Sequence, residues 1–306
     1  MPATREEWLA LRSSGKRIGA SEVAALFDAS AQYGLTRYAL WHVKAGLAPP
    51  PPVDGLRITW GLKLEAVIAD AAAEVHGWKI QKGRYALCDD APLAASLDFE
   101  ILDHPDGPGV LETKNADWLA HKRSWQNDEP PMHILLQLQS QLACTGYKWG
   151  VVACLIGGND LRTYRYDARP KLIAEMKTRA IAFWRSIADN KPPPIDGSDG
   201  ASHVLKSLYP EVIDDAVDMR ENNEWPEAVE EFIAASERNK EAKSAYDLAK
   251  NRVAELLGAH KRGWGAGYSV TVSVTSEKPD RPAALGDIIK GRAETRRYTA
   301  KAMENQ

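Results

Sequence analysis

The sequence predicts a mixed α/β fold, a central sheet covered by helices, and three features carry that expectation. Strand-like runs and helix-like runs alternate along the first two thirds of the chain. A glycine-punctuated turn, Asp106-Gly107-Pro108-Gly109, joins two apolar runs as a hairpin. A hydrophobic fraction of 44% over 306 residues is enough for a large core and excludes wholesale disorder.

The elements follow in order. Gly19-Ala20-Ser21-Glu22, followed by Val23, Leu26 and Phe27, predicts a capped helix start with Ser21 as N-cap. Trp60-Gly61 opens a helix that runs to about His76 and stops at Gly77. Arg84–Cys88, Ala94–Leu102 and Val110–Lys114 read as a three-stranded meander. Met132 to Thr145 reads as a helix with Gly146 as its C-cap. Lys148–Ile156 and Leu161–Tyr166 are two strands around a Gly157-Gly158 turn, and Leu172 to Ile187 has helical spacing. Proline runs at Pro49–Pro52 and Pro192–Pro194 read as a stiff loop and a boundary, which divides the chain into a core of residues 1–198 and an extension of 199–306. In the extension, a long helix from Pro226 to Leu257 ends at Gly258. Tyr268, Val270, Val272 and Val274 alternate with polar residues as a half-buried strand, with Arg296–Thr299 as its partner.

Composition narrows the function classes. No apolar run is long enough to span a bilayer and no apolar leader follows Met1, so a cytoplasmic protein without membrane attachment is expected. Cys88, Cys144 and Cys154 form no zinc spacing and read as small buried hydrophobes. No GxxxxGK[ST] loop is present, which excludes a P-loop motor. The net charge of -3 argues at first against a polyanionic partner. Glu211 to Glu241, however, holds eleven acidic residues against three basic ones, so the remainder of the chain is net positive.

Asp98, Glu112 and Lys114 are the residues with chemistry in their spacing. Glu112 and Lys114 lie two apart on a strand and leave the same face, and the hairpin brings Asp98 towards Glu112. Two carboxylates on one face repel unless a cation lies between them, and oxygen ligands suit Mg²⁺ or Mn²⁺. A lysine beside them can orient a metal-bound water or hold a phosphate. An E-x-K string alone means little: it also occurs at Glu175–Lys177 and Glu241–Lys243, both in helices, and an exposed strand salt bridge is the competing reading at Glu112–Lys114. Glu65 can point inward from its helix or pair on the surface with Lys63 or Lys79. Gln137 and Gln141 lie one turn apart, on a face that is either polar surface or part of a site. Trp8, Trp60, Trp78 and Trp184 read as core, whereas Trp118 and Trp125, beside Lys122 and Arg123, either stack on bases or cover the site. Arg84, Lys122, Arg123, Lys148, Arg162 and Arg165 are candidates for backbone phosphate contacts.

The ordered set Trp8-x-x-x-Arg12, Gly19-Ala20-Ser21-Glu22, Trp60-Gly61-x-x-x-Glu65, Ser96-Leu97-Asp98, Leu111-Glu112-Thr113-Lys114 and Gln137-x-Gln139 resembles the lambda-type, YqaJ-like phage exonucleases of the PD-(D/E)xK nuclease superfamily. The resemblance covers roughly residues 5–195. It implies that Asp98, Glu112 and the Thr113 carbonyl bind two Mg²⁺ ions, for which Mn²⁺ substitutes, with Glu65 helping to hold the second. Lys114 would serve the attacking water, supported by Gln137. Arg12, Ser21 and Ser96 match the pocket for the 5′-phosphate of a DNA end, with Arg17 as a rival to Arg12. The sequence departs from the family at Leu97, where proline is usual, and at Phe99, where glycine is usual. The implied activity is 5′→3′ resection of double-stranded DNA ends by a phage- or prophage-encoded ring-shaped homotrimer, partnered by a single-strand annealing protein. Rival readings are an endonuclease of the same fold, an inert DNA-binding module, and a scaffold built on the tail helix.

Overall fold

The computed structural model describes residues 16–29, 35–50, 55–211, 215–276, 281–282, 288–289 and 295–302. It divides into two compact units, Met1–Ile213 and Asp214–Gln306. The expected division after residue 198 is displaced, because a helix α6 (Asp199–Leu208) buries Ala201 and Val204 against Tyr38 and Ala39 of α1 (Arg37–Lys44).

In the first unit, a five-stranded sheet has the order β2-β5-β6-β7-β8, with β2 Lys79–Lys82, β5 Phe99–Leu102, β6 Gly109–Ala116, β7 Trp149–Ile156 and β8 Asp160–Asp167. β6 and β7 run parallel and their neighbours antiparallel. A parallel pair requires a crossover, and the chain supplies it with α3 (Trp118–Ser124) and α4 (Met132–Thr145). Alternation along β6 and β7 then builds two cores. Val110, Val152, Cys154 and Ile156 pack against Ile134, Leu138 and Leu142 of α4. Leu111, Val151 and Ala153 pack against Ile68, Ala69 and Ala72 of α2 (Gly55–His76) on the other face. A third core joins a 3-10 helix (Ala20–Phe27), α1, and Met176, Ala180 and Phe183 of α5 (Pro170–Ala188).

The boundaries of α4, β7, β8 and α5 follow the sequence expectation closely, and Gly146 caps α4 with φ 72°. Elsewhere the structure corrects it. Ser21 is not the N-cap: Gly19 is, and its N–H donates to Glu22 Oε2 at 2.7 Å, leaving Ser21 exposed in the first turn. The helix expected from Trp60 begins at Gly55, and Trp60 is 56% exposed rather than core. Trp78 and Trp184 are partly buried and pack against cores, and Trp8 lies outside the described residues. Trp125 is buried between His121 and Tyr164 and is not available to stack on bases, whereas Trp118 is exposed.

The largest correction is that no three-stranded meander forms. The run Ala94–Leu102 breaks at Leu97-Asp98 into β4 (Leu93–Ser96) and β5, which join different sheets. β4 pairs with β3 (Tyr85–Leu87) and with β1 (Ile18–Gly19). The break is clamped from across: Leu97 N–H donates to Arg84 O at 3.0 Å and Gly83 N–H to Asp98 O at 2.9 Å. Leu97 and Phe99 turn into the cores on opposite sides of the sheet, which explains how a break forms without proline or glycine there. Gly83 is sterically obligatory, because a Cβ at that position would sit 2.3 Å from Leu97 O.

In the second unit, α7 (Trp225–Leu257) has Pro226 in its first turn and ends at Gly258. β10 (Tyr268–Thr275) lies between β9 (Arg262–Gly265) and β13 (Thr295–Ala302), with Val272 opposite Tyr298, the strand pairing expected from the sequence. β11 (Arg281–Pro282) pairs with β12 (Ile288–Ile289). Among the described residues, no helix is long and apolar enough to cross a membrane.

Replacing Gly83 with alanine should therefore displace the Leu97-Asp98 break although Gly83 bears no reactive group. We expect a stability loss of about 1–3 kcal/mol by denaturant titration, and a fall in any activity that depends on Asp98. Unchanged stability would contradict the close approach.

Candidate active site

Glu112 is the centre of the site. It lies on β6, is 1% exposed, and faces α4 because it alternates with Leu111 and Thr113. Two turns of α4 meet it: Gln137 Nε2 donates to Glu112 Oε1 at 2.6 Å, and Gln141 Nε2 donates to Oε2 at 2.5 Å. Lys114 Nζ lies 2.5 Å from the same Oε1 and 3.2 Å from Gln137 Oε1. Lysine, glutamate and two glutamines thus form one network between strand and helix.

Asp98 enters from the break. The ladder pairs Phe99 with Leu111, so the next register position sets Asp98 opposite Glu112. Its Oδ2 accepts both the N–H and the hydroxyl of Thr113, each at 2.9 Å. Burial, and secondly the Asp98 carboxylate, push the Glu112 carboxyl up to about 7, against the pull of Lys114 and Gln141. Two neighbouring carboxylates that repel each other make a donor set suited to a hard divalent cation. Asp98, Glu112 and the Thr113 carbonyl fit that chemistry. Among the described residues, no group of three or more His, Cys, Asp or Glu side chains is drawn together as a metal cage. Glu65 pairs with Lys82 at 3.0 Å, in place of the Lys63 or Lys79 expected for a surface pair.

A cleft adjoins the network through Gln137 and is lined by Arg17, Ser21, Glu22, Lys44, Tyr85 and Ser96. The structure thus gathers Ser21, Ser96 and Arg17, with Ser96 far from the other two in sequence, around a cleft that reaches Gln137, the partner of Lys114. Arg17 is largely occupied: its Nη1 donates to the carbonyls of Cys88, Ala91 and Leu93, pinning the chain beside β4. Arg12 lies outside the described residues. Of the six candidate phosphate contacts, Arg84 pairs with Glu100, Arg162 with Asp128 and Asp160, and Arg165 with Asp106, while Lys122, Arg123 and Lys148 are exposed.

Three residues were not assigned from sequence. Gln141 lies one turn from Gln137, but nothing in the sequence gives it a role or says that its face is buried. Lys44 lines the cleft paired with Glu22 at 2.7 Å, yet no motif marks it. His133, in the first turn of α4, is held neutral: burial, and then Lys114, lower its pKa to about 4. Gln139, by contrast, braces the chain after β8, bonding Asp167 O and the Arg169 N–H. All three cysteines are free, and burial pushes the Cys144 and Cys154 thiols up to about 12, so they are inert packing groups.

A carboxyl whose pKa rises on folding favours the folded chain at low pH and loses that contribution as pH climbs through its folded value. The metal-free chain should therefore lose stability from Glu112 as pH climbs from about 4.5 through about 7. Glu112→Gln should flatten that dependence. The new amide can donate to Gln141 Oε1, which is buried without a partner, once the Gln141 amide turns over. Thermal unfolding across the pH range decides; identical pH profiles for the two proteins would refute the burial argument.

Comparison with known proteins bears on the fold. The sequence profile of the YqaJ-like viral recombinase domain matches residues 7–148. A crystal structure of an alkaline exonuclease (LHK-Exo) from Laribacter hongkongensis superposes with a TM-score of 0.51 at 22% identity, covering 61% of this chain and 94% of that one. A structure of LHK-Exo in complex with dAMP gives 0.50 at 22% identity, with the same coverage. No curated protein matches the chain significantly. Residues 7–148 thus resemble a YqaJ-like viral recombinase domain, and the fold of the first unit is similar to that of an alkaline exonuclease.

Proposed function

We propose that the protein is a Mg²⁺-dependent exonuclease that resects linear double-stranded DNA 5′→3′, releasing 5′-mononucleotides and leaving 3′ single strands for recombination by annealing. The observation that carries the reading is the cleft lined by Ser21, Ser96, Arg17 and Gln137, the last of which is hydrogen-bonded to both Lys114 and Glu112. A bare endonuclease has no use for a terminal-phosphate pocket beside its reactive centre. The similarity of the fold to an alkaline exonuclease supports the same class.

Asp98, Glu112 and the Thr113 carbonyl would hold the metal, with Glu65 released from Lys82 to help with a second ion. The ions, which Mn²⁺ can replace, supply charge neutralisation at the phosphate and a lowered water pKa. The chain's own groups do the rest. Lys114, held by Glu112 and Gln137, orients the nucleophile and steadies developing charge. Gln137 and Gln141 keep the Glu112 oxygens aimed. Ser21 and Ser96, with Arg12 or Arg17, grip the 5′-phosphate through charge-assisted hydrogen bonds, which selects an end over an interior bond. Without an ATPase, a homotrimeric ring around DNA would confer processivity, and a single-strand annealing protein in the bacterial cytoplasm would take up the product.

End-labelled linear duplexes test this. With Mg²⁺, a 5′-phosphorylated duplex should be digested faster than a 5′-hydroxyl duplex, while closed circles resist. Lys114→Ala should reduce the rate by about 10²–10⁴-fold in a chain that circular dichroism shows to be still folded, although losing the partner of buried Glu112 lowers its stability. Efficient cutting of circles would favour the endonuclease reading, and an unaffected Lys114→Ala would remove the site from the chemistry.

A further inference from the structure

The long helix of the second unit has an apolar face that its own fold leaves uncovered. α7 has 33 residues, roughly 50 Å of helix, and none of them is buried. Phe232, Tyr246 and Leu256 are 74%, 63% and 89% exposed. They are not scattered. Phe232, Asn239, Tyr246 and Val253 recur every seven residues, and so do Ala228, Ala235, Ala242 and Ala249, continued by Leu256. The two series alternate in steps of four and three, which keeps them on one stripe, the pattern of a coiled-coil seam.

Charge and volume together specify what covers this stripe. The first half of α7, up to Asn239, carries four glutamates against Arg238, whereas the second half carries four cations against three acids. Parallel pairing with a like helix would stack the acidic halves on each other and set Arg238 beside the partner's Lys243. Antiparallel pairing reverses both effects. In a register centred between Lys240 and Glu241, Phe232 meets the partner's Ala249, Tyr246 the partner's Ala235, and Val253 the partner's Ala228. Each large residue then faces an alanine, so successive layers interdigitate and the axes can approach to the short end of the usual ~8–10 Å. Glu231 falls beside the partner's Arg252, twice by symmetry. Asn239 lies at the centre against the partner's Ala242, where a polar seam residue fixes register.

We propose that α7 is a self-association helix that pairs antiparallel, about a two-fold axis, with α7 of a second copy of this chain. Such a contact is isologous and closes on itself, and it is separate from the ring contact proposed for the nuclease unit. Its failure would leave the nuclease reading untouched.

Cysteine cross-linking of the full-length chain tests the register. Ala235→Cys and Tyr246→Cys combined in one chain should give covalent dimers with a short bismaleimide. The two positions are eleven residues apart on one helix, about 16 Å, which excludes an intrachain link. Neither single variant should cross-link, and the native Cys88 and Cys154 are buried. Strong self-linking of either single variant would mean parallel helices, and absence of a link in the double variant would mean no pairing; either overturns the proposal. Independently, Phe232→Glu should lower the mass at sedimentation equilibrium roughly twofold, with circular dichroism reporting that the chain still folds. An unchanged mass overturns it as well.

Discussion

A carboxylate buried between strand and helix governs the first unit. Glu112 costs the fold desolvation and repulsion from Asp98, and the chain answers with Lys114 from the strand and with Gln137 and Gln141 from α4. Those amides tie α4 to β6 at the same place where Leu138 and Leu142 seal the core beneath. The helix is therefore both a core element and the upper wall of the site. A charged group that the fold stabilises only partly is a feature of functional sites, where stability is given up for reactivity.

The second constraint is the interruption of the sheet at Leu97-Asp98. A continuous strand would leave Asp98 within an ordinary ladder, its position determined by its neighbours. Because β4 and β5 separate into two sheets, Asp98 lies at a sheet end, where its carboxylate accepts two bonds from Thr113 and faces Glu112. Gly83 makes this possible by letting backbone approach backbone without a side chain between them. The same separation places Ser96, the last residue of β4, at the mouth of the cleft shared with Ser21 and Gln137. Carboxylates and hydroxyls thus converge from two sheets through a single break.

The cleft also shows how a polar pocket is assembled from local needs. Glu22 satisfies the Gly19 N–H at the start of the 3-10 helix and at the same time fixes Lys44 of α1. Arg17 holds the loop before β4 through three carbonyls. Each contact is structural in origin, yet together they line a basic, hydroxyl-bearing recess that reaches Gln137, the partner of Lys114. The second unit is built differently, on a helix with no buried residue, which is why its sequence repeat bears on a partner rather than on its own core.

Much of this was legible from the amino-acid order. Hydrophobic periodicity gave α4, α5, β7 and β8, and glycines marked their ends, because these signals are local: side-chain period and backbone freedom. Spacing alone placed Glu112 and Lys114 on one face, and the ordered motifs resemble the domain whose profile matches residues 7–148. What local pattern could not supply was anything that depends on which elements meet. The break in Ala94–Leu102, the burial of Gln141, the exposure of Trp60 and the Glu22–Lys44 pair all follow from packing partners that are distant in sequence. Residue identity determined the chemistry the site can perform. Tertiary structure alone decided which residues share it, because convergence in space is set by the closing of sheets and the docking of helices rather than by any neighbouring residue.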